Sequence, residues 1–399
     1  MNILITGASG FVGKNLSLAL LEIKKHNDRT HPSLLEKIDN IFLYNKNSTN
    51  EELEEYCKSC DFVFHLAGVN RPKNDEEFNE GNVDFTNKLL SILKKYKNNC
   101  PIMLSSSIQA KLDGVHSEYG KSKLKAEESL LSYEKETKAN IYIYRFHNIF
   151  GKWCKPNYNS CIATWCYNIA RDLQVEVSAR NNKISLIYID DVIEEMINLL
   201  EKNVDKNNNV YEKSHIYYIS KVYEKTLGEI IDLIYIYANQ AKNLFLPKIP
   251  IGSFETKLYS TYLSYLPKEK IRVPLLMKEN EKGSFTELMK TNDHGQFSVN
   301  VSLPNMKKGE HFHNSKWEYF IVVSGRALIK ERKMGLDENG KKYPIIEFEV
   351  SSDKIEAIHM LPGYSHAIIN LSNTEKLVTI MWSNEVFNPM KPDTFNEDV

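Results

Sequence analysis

The chain has 399 residues, of which 42% are hydrophobic and 26% charged, with a formal net charge of −1. These values suit a soluble globular protein of two domains, and the balanced charge excludes a surface built to hold a nucleic-acid backbone. No apolar run is long enough to cross a bilayer, and the N-terminal residues lack the pattern of a signal peptide, so a cytosolic protein with six reduced cysteines is expected.

The apolar runs 3–6, 41–44, 62–66, 102–105 and 141–144 read as strands, and amphipathic stretches separate them. Val12, Leu16, Ala19, Leu20 and Ile23 share one helical face, as do Leu89, Leu90 and Leu93. Alternating strands and helices predict an α/β Rossmann-like, doubly wound parallel sheet. Gly7, Gly10 and Gly13 fall between the first strand and the first helix, with Phe11 and Val12 opening the helix. Such glycines let the backbone approach a pyrophosphate, and the helix N terminus offers N–H groups to it. The alternative is a tight turn without a ligand. Cys57 and Cys60 form a C-x-x-C ahead of a strand, whereas a redox pair usually opens a helix after one; they read as incidental thiols.

The second strand ends Tyr44, Asn45, Lys46, without the acid that holds the ribose of NAD. NADPH is therefore the expected cofactor. Lys46 is either the counter-charge for a 2′-phosphate or an ordinary solvated lysine. Tyr119 and Lys123 stand four apart on a predicted helix, so they share a face. The lysine's charge is expected to depress the phenol's pKa and to hold the nicotinamide ribose, with the phenol as proton donor to a carbonyl. Ser107 closes the serine run 105–107 upstream, where a hydroxyl can bond the same carbonyl.

From about residue 272 the period changes to two, with runs 297–301, 319–323, 327–330, 345–350, 355–360 and 377–382, and Asp337 to Gly340 read as a hairpin turn. The expected domains are 1–245, a linker or docking segment over 246–271 that holds the tyrosine-rich stretch 258–267, and an all-β domain over 272–399. His311 and His313 share one face of a strand, Glu318 follows on what reads as the neighbouring strand, and His366 comes from a later motif with Asn370 beyond it. Three imidazoles and a carboxylate suit Zn, Mn, Fe or Ni; the alternative is a histidine-lined pocket without metal.

Residues 1–240 resemble an extended short-chain dehydrogenase/reductase. The likeness is carried by the glycine turn, the segment 61–68, Asn82, the segment 145–151 and the segment 188–191. It implies Ser107, Tyr119 and Lys123 as the catalytic trio and Leu66, Ala67 and Gly68 as further cofactor contacts. It also implies a nucleotide-activated sugar as substrate, with Arg71, Asn148 and Asn159 as binding candidates. The spacing of His311, His313, Glu318, Gly325, Gly363, His366 and Asn370 resembles the two cupin motifs, although Asn305 stands where a glycine usually leads and Pro362 lies one place nearer Gly363. Segment 281–287 resembles the first strand of the dTDP-sugar 3,5-epimerases with Glu281 and Lys282 in place of Asp and Arg. Segment 384–389 lacks their proton-donating Tyr.

The whole chain is similar to the bifunctional capsular-polysaccharide enzymes of the CapF type, in particular over 151–160, 258–267 and 283–287. This resemblance implies a UDP-2-acetamido-2,6-dideoxy-4-ketohexose as substrate, on the way to UDP-N-acetyl-L-fucosamine. C3 epimerisation would occur in the cupin and NADPH-dependent reduction at C4 in the reductase domain. It favours one Zn2+ per chain and a homodimer or homotetramer, with no nucleic acid and no membrane as partner. Two rival readings stand beside it: a 4-reductase whose cupin only binds sugar or assembles subunits, and a nucleotide-sensing regulator. The presence of Ser107, Tyr119 and Lys123 together favours an enzyme. His311 is a candidate general base only if it is not a metal ligand.

Overall fold

A computed structural model of the chain describes residues 1–72, 74–111, 117–204 and 215–399. They divide into two compact units, Met1–Tyr235 with Pro250–Pro267, and Ile236–Ile249 with Lys268–Val399. No helix among the described residues is long and apolar enough to cross a membrane.

In the first unit, β1 (Asn2–Thr6), β2 (Asn40–Tyr44), β3 (Phe62–His65), β4 (Ile102–Ser107) and β5 (Ile141–Phe146) alternate with helices. These are α1 (Phe11–Lys24), α2 (Asn50–Ser59), α3 (Glu76–Phe78), α4 (Phe85–Lys95) and α5 (Glu118–Thr137). There follow β6 (Asn148–Phe150), α6 (Cys161–Ile169), β7 (Lys183–Tyr188), α7 (Ile189–Val204), β8 (Ile216–Tyr217), β9 (Tyr223–Thr226), α8 (Leu227–Asn243), whose residues from Ile236 onward count with the second unit, and α9 (Phe254–Leu263). The main sheet runs β2-β1-β3-β4-β5-β8 with every pair parallel. The order reverses at β1, so the carboxyl ends of β1 and β3 flank a crevice of the kind that takes ligands in such sheets.

Strands covered on both faces read as unbroken apolar runs, and β5 is buried at every residue. On α1, Leu16, Leu20 and Ile23 of the predicted face are buried, while Val12 and Ala19 are half-buried. A Thr49–Glu52 capping box starts α2, and Ser117 caps α5 by accepting from the Gly120 N–H. Cys57, Cys60 and Cys100 lie in the core packed between the sheet and α2, α4 and α5. All six cysteines are free.

The tyrosine-rich stretch belongs to this first unit. Phe254 of α9 packs on Phe150 and Tyr223 at ring separations of 5.4 and 5.6 Å. The Lys257 ammonium meets both Asp191 oxygens, at 2.8 and 2.5 Å, and the Tyr265 hydroxyl donates to the Cys154 carbonyl.

The second unit carries α10 (Lys268–Ile271) and eleven strands: β10 (Met277–Asn280), β11 (Gly283–Lys290), β12 (Gln296–Ser302), β13 (Lys307–Phe312), β14 (Glu318–Ser324), β15 (Arg326–Lys333), β16 (Ile346–Ser351), β17 (Ala357–Met360), β18 (Tyr364–Asn370), β19 (Leu377–Ser383) and β20 (Phe395–Asn396). They form two antiparallel sheets, β10-β11-β12-β19-β14-β17 and β16-β15-β18-β13-β20, a cupin-like arrangement. Alternate residues of each strand point inward. Phe320, Val322, Met360 and Leu377 of one sheet meet Ala327, Ile329, Val350 and Ile368 of the other in a single core. The Asp337–Gly340 turn joins β15 to β16, and its Gly340 N–H donates to the Asp337 carbonyl at 3.0 Å.

Candidate functional site

The first constellation is built on the end of β1. Gly7 takes φ +69°, and a Cβ there would lie 2.7 Å from the Ala67 nitrogen, so only glycine fits. The Gly10 N–H closes back on the Gly7 carbonyl at 2.9 Å. A Cβ on Gly13 would stand 2.3 Å from that same carbonyl oxygen. No side chain caps the N terminus of α1, so the N–H donors around Phe11, Val12 and Gly13 have no side-chain acceptor there. This is the cradle a pyrophosphate requires.

The neighbouring loop 66–69 is pinned from beneath. The Ala67 N–H donates to Thr6 Oγ1 at 3.2 Å, and Asn82 holds the Val69 N–H and carbonyl at 2.8 and 2.9 Å. Thr6 and Thr86 grip the two nitrogens of the buried His65 at 2.7 and 2.9 Å. Thr86 donates its own proton to the Asn82 carbonyl, so it accepts from His65 Nε2–H, and Thr6 donates to Nδ1. Burial and, second, the Lys123 charge push His65 down to about 3, so the ring is neutral. Leu66, Ala67 and Gly68 are thus brought against the glycine turn and Lys123; a Cβ on Gly68 would lie 3.0 Å from Lys123 Nζ. Lys46 is exposed in the turn after β2, two residues beyond the strand whose Tyr44 carbonyl accepts from the Ala8 N–H at 3.2 Å.

Ser107, at the end of β4, faces the phenol of Tyr119 in the first turn of α5 closely enough to influence its titration. Lys123 Nζ donates to the Ser105 carbonyl at 2.9 Å and lies 5.9 Å from the centre of the Tyr119 ring. The electrostatics differ from the expectation. Burial raises the Tyr119 phenol above its ordinary value, and the nearby Ser107 hydroxyl offsets only part of that. Burial also lowers Lys123 to about 8 against the pull of Glu127. Lys123 still carries most of its charge at neutral pH, but at the phenol burial is the larger effect. Tyr119 is therefore protonated at neutral pH, the form a general acid needs.

Glu127, one turn beyond Lys123, was absent from the sequence reading. It accepts from Arg145 at 3.0 and 2.6 Å and from the Ser106 hydroxyl, and it braces the floor of the trio. The i to i+4 spacing from Lys123 was its only signal. Of the substrate candidates, Arg71 Nε lies 3.5 Å from Asn159 Oδ1. Asn148 stands in another environment, with its amide 3.3 Å from the Ser185 carbonyl on β7.

The second constellation lies inside the second unit. His311 of β13 and His366 of β18 are register partners, His313 follows β13, and Glu318 opens β14. One ligand atom from each falls within 4.8 Å of the others. Glu318 is not on the strand beside β13, as the spacing had suggested. Its strand belongs to the opposite sheet, so the cluster bridges the two sheets.

A bulge at Gly309 aims His311: φ there is +98°, and a Cβ would meet the His366 carbonyl at 2.7 Å. Asn305, in the place of the usual glycine, adopts φ +58°, a region asparagine tolerates. Asn370 is no ligand; its amide donates to the Leu303 and Glu375 carbonyls at 3.0 and 2.8 Å.

The Asp393 carbonyl accepts from His313 Nδ1 at 2.6 Å, which turns the bare Nε2 into the cluster. The Asp393 carboxylate accepts from the N–H groups of Asn314, Ser315 and Lys316 at 3.0, 2.9 and 2.9 Å. Burial opposes its ionisation, but these amides hold it well below the usual carboxylate range.

His313 Nε2 and both nitrogens of His366 are buried without a hydrogen-bond partner. Burial lowers His366 to about 3, and His311 also falls below its ordinary value. Burial works against the Glu318 carboxylate, yet His313, Lys316 and His366 together bring it down to about 2. Buried imidazole nitrogens without partners beside an ionised carboxylate are the donor set of a transition-metal site, so these residues fit such an ion. Glu331 of β15 faces inward nearby, 2% exposed. Burial raises it to about 7, and the Leu361 N–H, 3.5 Å away, pulls the other way.

Residues 3–212 match the NAD dependent epimerase/dehydratase family, and residues 278–395 match the polysaccharide biosynthesis C-terminal domain. The chain is 44% identical to the capsular polysaccharide assembling protein CapF from Staphylococcus aureus, with each chain covered in full and a TM-score of 0.86. It belongs to the CapF family. A further relative of this CapF-family chain is the UDP-2-acetamido-2,6-beta-L-arabino-hexul-4-ose reductase of Pseudomonas aeruginosa, 35% identical over 99% of this chain and 98% of that one. The UDP-glucuronic acid 4-epimerase of Bacillus cereus, at 19% identity and a TM-score of 0.51 over 68% of this chain, shares the fold of the first unit. The CapF-family chain is an enzyme of the NAD dependent epimerase/dehydratase family, whose members use a nicotinamide dinucleotide.

Proposed function

We propose that this chain inverts C3 and reduces C4 of a UDP-2-acetamido-2,6-dideoxy-4-ketohexose, the first step in the cupin-like unit and the second in the reductase unit. The observation that carries the reading is that one chain holds two complete constellations of different chemistry. One is a hydroxyl–phenol–lysine trio behind a pyrophosphate cradle; the other is a cluster of three imidazoles and a carboxylate with unpartnered buried nitrogens. The full-length likeness to a 4-keto-sugar reductase supports the substrate class.

In the reductase unit, Ser107 and Tyr119 bind the C4 carbonyl oxygen, and Tyr119 gives it a proton. Lys123, held by the Ser105 carbonyl, orients the nicotinamide ribose. NADPH supplies the hydride when bound, and the absence of a carboxylate in residues 45–48 favours the phosphorylated cofactor over NADH.

In the second unit, His311, His313, Glu318 and His366 would hold one Zn2+ per chain. The ion, when bound, supplies a Lewis acid for the keto oxygen. The 4-keto group acidifies the C3–H bond and is consumed by the later reduction, which gives a physical reason for joining the two units in one chain. The assembly is a cytoplasmic homodimer or homotetramer in this reading. NMR of the products formed from the UDP-4-keto sugar in D2O tests it. Without NADPH, deuterium enters at C3 while the ketone persists. With NADPH, the ketone becomes an alcohol. Reduction without any C3 exchange would leave a reductase with a non-catalytic second unit.

A further inference from the structure

We infer that Glu331 is the carboxylate that takes the C3 proton in the second unit. The inference rests on the epimerase reading above and names the base that reading lacks. His311 had been open for that role, but its ring nitrogen belongs to the four-atom cluster, and a nitrogen holding a metal has no lone pair left for a proton. The proton acceptor must then be another group facing the same interior.

Register decides which residues share that level. Glu331 on β15 pairs with His366 on β18, and His366 pairs with His311 on β13. The three stand side by side on adjacent strands. From the other sheet, Met360 is the register partner of Glu318, and the next residue, Leu361, places its N–H 3.5 Å from Glu331 Oε2. The carboxyl group is therefore level with the cluster on both sides, without belonging to its four ligand atoms.

The alternation of β15 makes the placement unusual. Ala327, Ile329 and Glu331 occupy successive inward positions, and the first two are core residues. A hydrophobic residue at the third would cost nothing in desolvation, whereas a buried carboxyl does. The other inward or cluster-flanking ionisable groups are occupied. Lys308 donates to Asn300 Oδ1 and the Val301 carbonyl, Glu287 pairs with Lys290 and Lys278, and Lys316 pairs with Glu318. Among the described residues Glu331 makes no ion pair, and its only hydrogen bond is the long one from Leu361.

The step balances without a redox partner. The C3–H bond breaks, its proton passes to a Glu331 oxygen, and the electron pair spreads over C3, C4 and the keto oxygen. A proton from water on the opposite face of C3 restores the ketone with C3 inverted, and Glu331 returns its proton to water.

The test is deuterium incorporation at C3 of the UDP-4-keto sugar, measured in D2O without NADPH on the full-length, metal-loaded protein. Wild-type protein is run first; absence of exchange there overturns the epimerase reading rather than this assignment. Glu331→Gln keeps shape and removes the base. Exchange should fall by about 100-fold or more, with bound metal unchanged. Exchange within threefold of wild type overturns the proposal. So does a loss that tracks metal content, which would make Glu331 a support for His366. If the Gln variant does not fold, Glu331→Ala with added formate replaces it: restoration of exchange with rising formate supports the proposal, and none overturns it.

Discussion

Removing the Asp393 carboxylate should weaken metal binding without touching a ligand. In Asp393→Ala three backbone N–H groups and the Ser315 hydroxyl lose their shared acceptor. Each such bond to a charged acceptor contributes about 1.5–3 kcal/mol when sheltered. The site is partly open to water, which replaces most of that, so a loss of about 2 kcal/mol for the second unit is expected. That corresponds to a shift of roughly 4–8 °C in its thermal transition. The loop 314–316 carries His313 on one side and Glu318 on the other, and the Asp393 carbonyl fixes the His313 tautomer. Loosening such an outer support costs about 10–100-fold in metal affinity. Competition for zinc against a chromophoric chelator at pH 7 reads the change directly, with calorimetry for the transition. Asp393→Asn, which retains an acceptor oxygen, should fall between. Unaltered zinc affinity in Asp393→Ala would refute the reasoning, because it would show that His313 and Glu318 hold position without the clamp.

Tyr119→Phe should lower C4 reduction by about 100-fold or more while C3 exchange continues; intact reduction would assign the proton to another group. For the cofactor, kcat/KM should favour NADPH over NADH by about tenfold, roughly 1.4 kcal/mol. Lys46→Glu should narrow that ratio, and an unchanged ratio would return Lys46 to the status of a solvated lysine. His65 titrates at 6.5 when unfolded and at about 3 when folded. The unfolded chain therefore binds more protons in that window, and stability is full above pH 6.5 and declines as pH falls toward 3. Denaturant titrations of the first unit across this range should show a shallower decline in His65→Gln, and an identical slope would remove His65 as its source.

Local periodicity recorded much of this molecule. The glycine turn, the five parallel strands and the two-residue alternation after residue 272 each follow from neighbours within a few positions, where side-chain direction is fixed by the backbone repeat. Long-range pairing leaves no such record. Nothing in the order of His311 and Glu318 says that their strands sit in opposite sheets, and the spacing read alone put them side by side. Asp393 lies 80 residues from the histidine it orients, and no local signal connects them. Burial is equally silent in the sequence. The Tyr119–Lys123 spacing was legible, but the direction of the phenol's shift depended on how deeply both groups are covered. The stretch 250–267 read as a connector because prolines and a glycine flank it, yet Phe254 and Lys257 fasten it to the first unit through residues more than 60 positions upstream.

We propose above all that the cluster in the second unit inverts C3 with a bound metal, in the same chain that reduces C4. The most direct test of this proposal is elemental analysis of protein purified without chelator, paired with C3 deuterium exchange on the same sample. Expected are close to one zinc per chain, exchange that falls in proportion as zinc is withdrawn, and recovery when zinc is returned. Full C3 exchange by protein that contains no transition metal would contradict it.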